Sequence, residues 1–306
     1  MIFMSFSLGD KQIIVNYHYV EDPGANNSGT HPCSLAKFDR QIKFLANHFR
    51  FCSVPEVFVA AQNQNTEPLC AITFDDGLKD QYIHAVPVLK KYQATATFFI
   101  ITGTFAGWVP VAHKMHVFLS LNSGEKLVDL ANDFFGKKYF IPKDRRLTDK
   151  RQWDDVCTAN LKETMIILPE DVKNQFLDRL LKDLNYDELE LASRIFMNED
   201  EVSRLLGEGF HVGSHTHRHE PLDTLSSRVE IEETVEQSKN YLANLVGVTP
   251  TLFCYPSGRF NKATVEVLNA QGFTHAVTIE QRAVVSEDHP LLIPRYDRVK
   301  FNFRTC

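Results

Sequence analysis

The stretch Leu69-Cys70-Ala71-Ile72-Thr73-Phe74-Asp75-Asp76-Gly77 decides the fold of this 306-residue chain. Its first six residues form a largely apolar run of strand length, and two carboxylates and a glycine follow directly. Such a run is typical of a buried strand in a parallel sheet, and the polar residues after it mark the carboxyl end of that strand. Asp and Gly also form ordinary turns and helix N-caps, so Asp75 and Asp76 taken alone leave a purely structural role open.

Strands and helices alternate on both sides of this stretch. Before it, the pattern predicts a strand over 12–17 and an amphipathic helix that begins after Ser34; after it, a helix interrupted at Pro87 precedes a strand over 94–101. Further strands are predicted over 51–54, 210–213, 252–255, 275–279 and 291–293, and further helices over 198–206, 228–245 and 262–270. Seven or eight β units with helices between most of them predict an α/β fold, an imperfect (β/α)7-8 barrel.

The alternation fails between residues 105 and 196. This part contains helical patterns such as 173–184 and polar segments such as 143–154, but little that resembles a strand. We therefore expect a largely helical insertion over 105–196 within a single catalytic domain that spans 1–306.

The composition excludes several classes of protein. Hydrophobic residues make up 43% of the chain and charged residues 24%, which are globular values and exclude a disordered, collagen-like or coiled-coil protein. The 33 basic and 39 acidic residues give a net charge of −6, and no Lys/Arg cluster is present to neutralise a nucleic-acid backbone. No run approaches the roughly 18 apolar residues of a membrane span.

The cysteines and the N-terminal residues bear on the cellular compartment. The six cysteines are scattered without a CxxC pair, which disfavours a zinc knuckle or a disulfide framework. They are Cys33, Cys52, Cys70, Cys157, Cys254 and Cys306. The segment 1–9 has no basic region, sustained apolar region or small-residue cleavage site, so no secretory signal is expected. The sequence therefore predicts a reduced, cytoplasmic protein.

Four of the twelve histidines fall within nine residues, at His211, His215, His217 and His219. His215 and His219 directly follow a predicted strand and are four apart, a spacing that lets two imidazoles converge on one metal ion. Two neutral nitrogens and a strand-end carboxylate leave room for water, as expected of a catalytic divalent ion. Catalytic groups of β/α barrels lie at these strand ends. We expect no chemical role for His211 and His217.

The stretch Thr73-Phe74-Asp75-Asp76-Gly77, followed by Gly213-Ser214-His215-Thr216-His217-Arg218-His219, resembles the first two motifs of the polysaccharide deacetylase family. This family comprises metal-dependent carbohydrate esterases and includes chitooligosaccharide deacetylases. The segment Phe253-Cys254-Tyr255-Pro256-Ser257-Gly258 is similar to the third motif of the family. The resemblance covers residues 11–104 and 197–300 and does not explain the insertion.

The resemblance implies that Asp76, His215 and His219 bind the metal and that Asp75 is the general base. The implied cofactor is a divalent metal ion, with zinc as the first expectation and cobalt or nickel as alternatives. The physical logic agrees, because a divalent cation lowers the pKa of water towards about 7 and a nearby carboxylate can take the proton as that water attacks an amide.

The third motif implies residues that contact the substrate. In the family, a backbone N–H of this turn stabilises the oxyanion, which corresponds to Ser257 or its neighbour here. Tyr255 of the same turn is assigned to substrate binding. The aromatic residues Trp108, Tyr255 and Phe260 could stack on a sugar ring, but packing in the core or in loops explains them equally well.

The chain departs from the family at the arginine that orients the base. The third motif often supplies this arginine, whereas the corresponding residue here is Cys254. Arg295, in the segment Ile293-Pro294-Arg295, can fill the role from a later strand end, as in related subfamilies. A surface arginine beside Asp297 is the structural alternative for Arg295, and Arg259 is a second candidate for the role.

The general acid is the second departure. Family members commonly carry a histidine in a Leu-His-Asp segment near the end of the domain, and none follows Arg295. The segment 13–18 ends in His18 and is similar to that strand, as in branches that resemble a circular permutation with the strand at the N-terminus. His18 is therefore assigned to protonate the leaving amine.

The resemblance thus implies a hydrolase that removes N-acetyl groups from an N-acetylated sugar, glycan precursor or glycoconjugate by attack of metal-activated water. Nucleic acid and a membrane span are not expected as partners. Two alternatives stay open at this point. The same chemistry would hydrolyse a non-sugar amide, because fold and motif do not fix the substrate. The missing third-motif arginine would also suit a glycan-binding relic without turnover.

Overall fold

The computed structural model describes residues 9–22 and 30–300. The predictions about a secretory signal and about Cys306 concern residues outside these ranges. The described strands form one parallel sheet in the order β7-β6-β5-β4-β3-β1-β8, with β2 also paired to β3. They are β1 Gln12–Tyr17, β2 Arg50–Phe51, β3 Leu69–Phe74, β4 Ala96–Ile100, β5 His211–Ser214, β6 Leu252–Cys254, β7 His275–Val277 and β8 Tyr296–Asp297.

Helices lie between most of the strands, which confirms the predicted α/β barrel class. They are α1 Leu35–His48, α2 Val54–Gln62, α3 Val86–Lys91, α4 Val111–Leu121, α5 Gly124–Phe135, α6 Val156–Ile167, α7 Glu170–Asp183, α8 Glu188–Ile195, α9 Glu199–Gly207, α10 Arg228–Val246 and α11 Lys262–Ala270. Among the described residues, no helix is long and apolar enough to cross a membrane.

Most predicted strands differ from the observed ones in their bounds, and β8 was not predicted. The strand expected over 51–54 ends at Phe51, because Ser53 forms a capping box with Glu56 and starts α2 at Val54. The strand expected over 291–293 contributes only a bridge between Ile293 and β7. The capping box accounts for the early end of β2.

The chain divides into two compact units. Of the described residues, the first unit combines 9–21, 33–108 and 192–300 and contains the parallel sheet, while the second combines 22, 30–32 and 109–191 and contains α4 to α7. The second unit lies where the helical insertion was predicted, and it has its own buried side chains, such as Phe118 and Phe176. That the whole chain is a single catalytic domain stays a prediction.

Side chains alternate between the two faces of the sheet, as the pleat of a strand requires. Ile13, Ile72 and Phe98 belong to one buried cluster, whereas their neighbours Ile14 and Phe99 belong to another. The face that carries Ile14 and Phe99 continues, two residues at a time, into the polar side chains at the carboxyl ends of β1 and β3. The pleat therefore directs those polar groups towards one another.

The segment 293–297 joins the two edges of the sheet. Ile293 pairs with Val277 of β7, and Tyr296 in β8 pairs with Val15 of β1. One short segment reaches both edges, which requires the sheet to be strongly curled, as in a barrel. Arg295 lies between these two pairings and is thereby brought to the carboxyl ends of the strands.

Candidate active site

The end of β3 presents two buried carboxylates. The side chains of Asp75 and Asp76 follow β3 directly, and both residues are less than 7% exposed. Asp76 and Gly77 have φ angles of 76° and 69°, so the chain turns through the left-handed region immediately after the strand. A non-glycine residue in this conformation is strained and persists only where surrounding contacts hold it. The turn thereby aims two adjacent carboxylates in different directions.

The end of β5 presents the histidines. The backbone N–H of His215 donates to the carbonyl of Ile100 at 3.0 Å, which continues the pairing with β4 by one residue. Thr216 and His219 both have positive φ angles, of 63° and 62°. The hydroxyl of Thr216 accepts from the N–H of His219 at 2.9 Å, and the carbonyl of His217 accepts from the N–H of Gly103 at 2.7 Å. These bonds hold the loop in its strained conformation.

These two strand ends bring together the three residues predicted to bind a metal. The Nε2 atoms of His215 and His219 lie 3.4 and 3.5 Å from Oδ1 of Asp76. Two ligand atoms, each about 2.1 Å from a tetrahedral zinc ion, lie roughly 3.4 Å apart. The spacing and the chemistry of the nitrogen and oxygen donors therefore fit a divalent ion with an open coordination position.

A hydrogen bond from the next strand orients His215. Its Nδ1 lies 2.8 Å from the carbonyl oxygen of Cys254 at the end of β6. A carbonyl can only accept, so Nδ1 carries the proton and Nε2 faces the carboxylate of Asp76. Histidines that bind metals commonly donate their second N–H in this way, which fixes the tautomer and the orientation of the ring.

Arg295 holds Asp75 by a two-pronged ion pair. Nη1 of Arg295 donates to Oδ1 of Asp75 at 2.8 Å, and Nη2 donates to Oδ2 at 2.9 Å. Burial by itself raises the pKa of Asp75, but the charge and hydrogen bonds of Arg295 outweigh it and lower this pKa to about 2. Arg295 is only 1% exposed and is therefore not a surface arginine, and Arg259 instead pairs with Asp223 at 3.0 Å.

Three further groups complete the surroundings of this ion pair. The amide of Asn16 accepts from Nη1 of Arg295 at 2.9 Å and donates to Oδ2 of Asp75 at 3.1 Å. The thiol of Cys254 lies 3.4 Å from Oδ1 of Asp75, and the hydroxyl of Thr73 accepts from Arg295 at 3.1 Å. The sequence analysis missed Asn16 and Thr73, although they pair in register on the face that leads to Asp75.

His18 stands at the edge of the same cluster. Its Nε2 lies 3.7 Å from Oδ2 of Asp75, and its side chain is 45% exposed whereas that of Asp75 is 5% exposed. The buried amide of Gln81, which the sequence analysis also missed, donates to the carbonyls of both His18 and Asp75, at 3.2 and 2.6 Å. One side chain thereby links the ends of β1 and β3.

The third-motif turn places its two predicted substrate-binding residues differently. The ring of Tyr255 packs against Phe253 and Phe260, and its hydroxyl donates to the carbonyl of Leu291 at 2.8 Å. At 1% exposure this ring belongs to the core and has no free face for a sugar. Ser257, in the turn that follows β6, is exposed and has a φ of 56°.

The two other clustered histidines lie outside the donor set. His211 begins β5 and pairs with Thr97, at the amino end of the strands and away from the site. Nδ1 of His217 lies 2.9 Å from the hydroxyl of Thr102, which joins it to the turn after β4. The structure therefore separates the four clustered histidines into two that share Asp76 and two that do not.

Fold and donor set together define a β/α-barrel protein with a candidate metal centre at its strand ends. The family model described as polysaccharide deacetylase matches residues 62–117 and 159–276, more than half of the chain. The chain therefore belongs to the polysaccharide deacetylase family. Among curated proteins, it is 20% identical over 250 residues to YxkH of Bacillus subtilis (strain 168), which carries a polysaccharide deacetylase name. The match covers 81% of this chain, which spans 58% of the length of that relative.

Solved structures, among them a deacetylase and a de-N-acetylase, share the fold. The deacetylase PplD of Streptococcus pyogenes, in complex with acetate, superposes with a TM-score of 0.61 at 19% identity, covering 94% of this chain and 92% of PplD. IcaB from Ammonifex degensii gives 0.59 at 19% identity, covering 94% and 91%. A de-N-acetylase from Aggregatibacter actinomycetemcomitans gives 0.55 at 14% identity, covering 93% of each chain.

Proposed function

We propose that this protein is a metal-dependent hydrolase that removes N-acetyl groups from an N-acetylated sugar, glycan precursor or glycoconjugate. The observation that carries the proposal is the convergence of Asp76, His215 and His219 beside the ion pair of Asp75 and Arg295, in a chain of this family. Similarity to a de-N-acetylase and to a deacetylase in complex with acetate, the product of such a reaction, supports it.

Asp76, His215 and His219 are proposed to hold the divalent ion, with zinc as the first expectation and cobalt or nickel as alternatives. When bound, such an ion supplies Lewis acidity, which lowers the pKa of water to about 7 and polarises a carbonyl oxygen. Two of the three proposed ligands, Asp76 and His215, are buried and less than 7% exposed.

The remaining residues handle the substrate and its protons. Hydrolysis of an acetamido group adds water to the carbonyl carbon, breaks the carbon–nitrogen bond and releases acetate and an amine. From the resemblance to the family, Asp75 is proposed as the base and His18 as the acid, and the ion pair with Arg295 keeps Asp75 ionised. The backbone of the turn at Ser257 is proposed to stabilise the oxyanion. The half-exposed side chain of His18 is proposed to protonate the leaving nitrogen.

The alternative of a glycan-binding protein without turnover has lost its main argument. That alternative rested on the missing arginine of the third motif, whereas Arg295 forms the ion pair with Asp75 from the segment before β8. A non-sugar amide remains the other substrate class that the same chemistry admits. The cytoplasmic location likewise stays a prediction, and the described cysteines, all buried and free, are compatible with it.

Acetate release from oligomers of N-acetylglucosamine tests the proposal. We expect release by the zinc-loaded protein, loss of at least about 100-fold after chelation, and recovery when zinc, cobalt or nickel is added back, because the ion supplies the Lewis acid. A panel of small N-acetylated amides run in parallel separates the substrate classes. Release that persists unchanged after complete removal of metal would contradict the proposed mechanism, and activity on small amides alone would favour the other class.

A further inference from the structure

The loop after β5 is joined to the turn after β4 at the carboxyl ends of the strands. The backbone N–H groups of Thr102 and Gly103 donate to the carbonyls of Thr216 and His217, at 3.2 and 2.7 Å. A Cβ atom on Gly103 would lie 2.5 Å from the carbonyl oxygen of His217, so only a glycine lets the two segments approach this closely. The turn after β4 is thereby held beside the loop that carries the histidines.

Trp108 and Arg218 contact each other across these two segments. The guanidinium carbon of Arg218 lies 5.4 Å from the centre of the Trp108 ring, within the range of a cation–π contact. Nε1 of Trp108 donates to the backbone carbonyl of Arg218 at 3.3 Å, and the backbone N–H of Trp108 donates to the carbonyl of Gly103 at 3.1 Å. The indole therefore contacts both the backbone and the side chain of Arg218.

The guanidinium of Arg218 is exposed, and the nearest acidic residue of the loop is engaged elsewhere. Oε2 of Glu220 accepts from the backbone N–H of Arg218 at 3.2 Å. The same oxygen accepts from the hydroxyls of Thr216 and Thr234, at 3.4 and 3.3 Å. Among the described residues, no carboxylate forms an ion pair with the guanidinium of Arg218. Its donors therefore face solvent on the rim of the site.

Arg218 directly precedes the proposed metal ligand His219. Consecutive Cα atoms are only about 3.8 Å apart, and Nε2 of His219 lies 3.5 Å from Oδ1 of Asp76. A substrate with its acetamido group at the donor set therefore lies beside the loop that carries Arg218. A guanidinium is a planar fork of donors that matches the two oxygens of a carboxylate or a phosphate. Because stacking on Trp108 already restricts this fork, binding of an oxyanion would cost less side-chain entropy.

We infer that Arg218 binds an oxyanion, a carboxylate or a phosphate, on the N-acetylated substrate, and that Trp108 is a positioning residue that holds the guanidinium. This inference rests on the proposed function and narrows its substrate class to anionic glycans or glycoconjugates. It also gives Trp108 a role other than stacking on a sugar ring, since the cation of Arg218 lies over its ring.

Oligomers of N-acetylglucosamine that differ only at carbon 6 test the inference. Three sets are compared: unmodified, oxidised to the carboxylate, and phosphorylated. For the zinc-loaded protein we expect kcat/KM for acetate release from one anionic set to exceed that of the neutral set on the order of 10- to 100-fold, as charge-assisted hydrogen bonds allow. The set with the larger ratio identifies the anion as carboxylate or phosphate.

Arg218→Met should bring this ratio of anionic to neutral kcat/KM to within about twofold of one, because the charged donors are lost. Arg218→Lys keeps the charge without the planar fork and should give an intermediate ratio; it is the second variant should Arg218→Met fold poorly. Equal kcat/KM for all three sets in the unmodified protein, or a preference that survives in Arg218→Met, would overturn the inference.

Two further sets of variants serve as controls, with zinc content and thermal stability measured for each. Trp108→Phe keeps an aromatic face and should keep the ratio within about threefold, whereas Trp108→Leu should lower it further. An unchanged ratio in Trp108→Leu would contradict the positioning role. Arg204→Met, in the last turn of α9 before the amino end of β5, should keep the ratio. Absence of chelator-sensitive release from every oligomer would contradict the proposed function itself, whereas release without a charge preference would contradict the inference alone.

Discussion

At the scale of single residues, contacts from other strands decide what each polar side chain of the site can do. Asp75 is buried and would by itself have a raised pKa, yet Arg295 lowers that pKa to about 2. Asn16 and Cys254 then complete the set of donors. Asp75 is thereby ionised at neutral pH, because low exposure strengthens each of its interactions with donors.

Arg295→Met tests this arrangement through the pH dependence of stability. At about pH 7 we expect the free energy of unfolding of the chelated protein to fall by about 3–5 kcal/mol, because a buried carboxylate loses its partner. Asp75 has a lowered pKa in the unmodified protein, so the contribution of the pair is complete above about pH 4 and is lost as the pH falls through about 2. In the variant burial raises this pKa, so protonation relieves the loss as the pH falls.

Denaturant unfolding at about pH 7 and about pH 5 measures the difference between the two proteins, which should shrink at the lower pH. Arg259→Met is the matched control, because it removes a partly exposed pair with Asp223 and should cost at most about 1 kcal/mol. An equal loss for Arg295→Met at both pH values would mean that Asp75 stays ionised without its partner.

At the scale of elements, the parallel strands deliver the site and the turns after them shape it. Asp76, Thr216, His219 and Ser257 all have positive φ angles and all follow the carboxyl ends of strands. Strain of this kind persists where packing of the strands over-determines the backbone. β5 packs especially closely, because a Cβ atom on Gly213 would lie 2.6 Å from the ring of Phe99 and 2.9 Å from the carbonyl of Leu252.

Gly213→Ala should therefore disturb β5 and the histidines after it. We expect a loss of about 1–3 kcal/mol in the free energy of unfolding from overpacking, together with weaker zinc binding, because His215 lies two residues further on. Gly207→Ala in α9 is the matched control: it meets no atom within 4 Å and should be neutral or slightly stabilising. Unchanged stability and zinc affinity in Gly213→Ala would show that Phe99 yields without cost.

At the scale of the whole molecule, a bound ion would connect elements that are far apart in sequence. Asp76 follows β3 and His215 follows β5, with more than 130 residues between them, including the helical second unit. The donors lie in the unit that contains the sheet. Because a site assembled from distant segments exists only in the folded chain, binding there stabilises that fold.

Zinc is expected to raise the thermal unfolding temperature of the protein. At a free zinc concentration about 100 times the Kd, the folded state gains about 2.7 kcal/mol. His219→Ala should lose most of this increase, whereas His211→Ala, at the opposite end of β5, should keep it. Calorimetry with zinc and with chelator measures both. An undiminished increase in His219→Ala would place the bound zinc on other residues.

The sequence by itself determined the barrel class, the helical insertion and the strand ends that carry Asp75, Asp76, His215 and His219. These follow from local information, because apolar periodicity, glycine turns and residue spacing lie within short stretches of chain. The same information could not separate alternatives for Tyr255, whose ring could equally stack on a sugar or pack in the core.

Only the tertiary structure decided the partners of these residues. It pairs Arg295 with Asp75, which lie 220 positions apart in the sequence, and buries the ring of Tyr255. It also brings Asn16 and Gln81 to the site, although no sequence motif marks either residue. Hydrogen bonds of a few ångströms depend on the register of strands and the curl of the sheet, which long-range packing sets. The sequence therefore determines the chemistry of each side chain, while the fold determines its protonation and its neighbours.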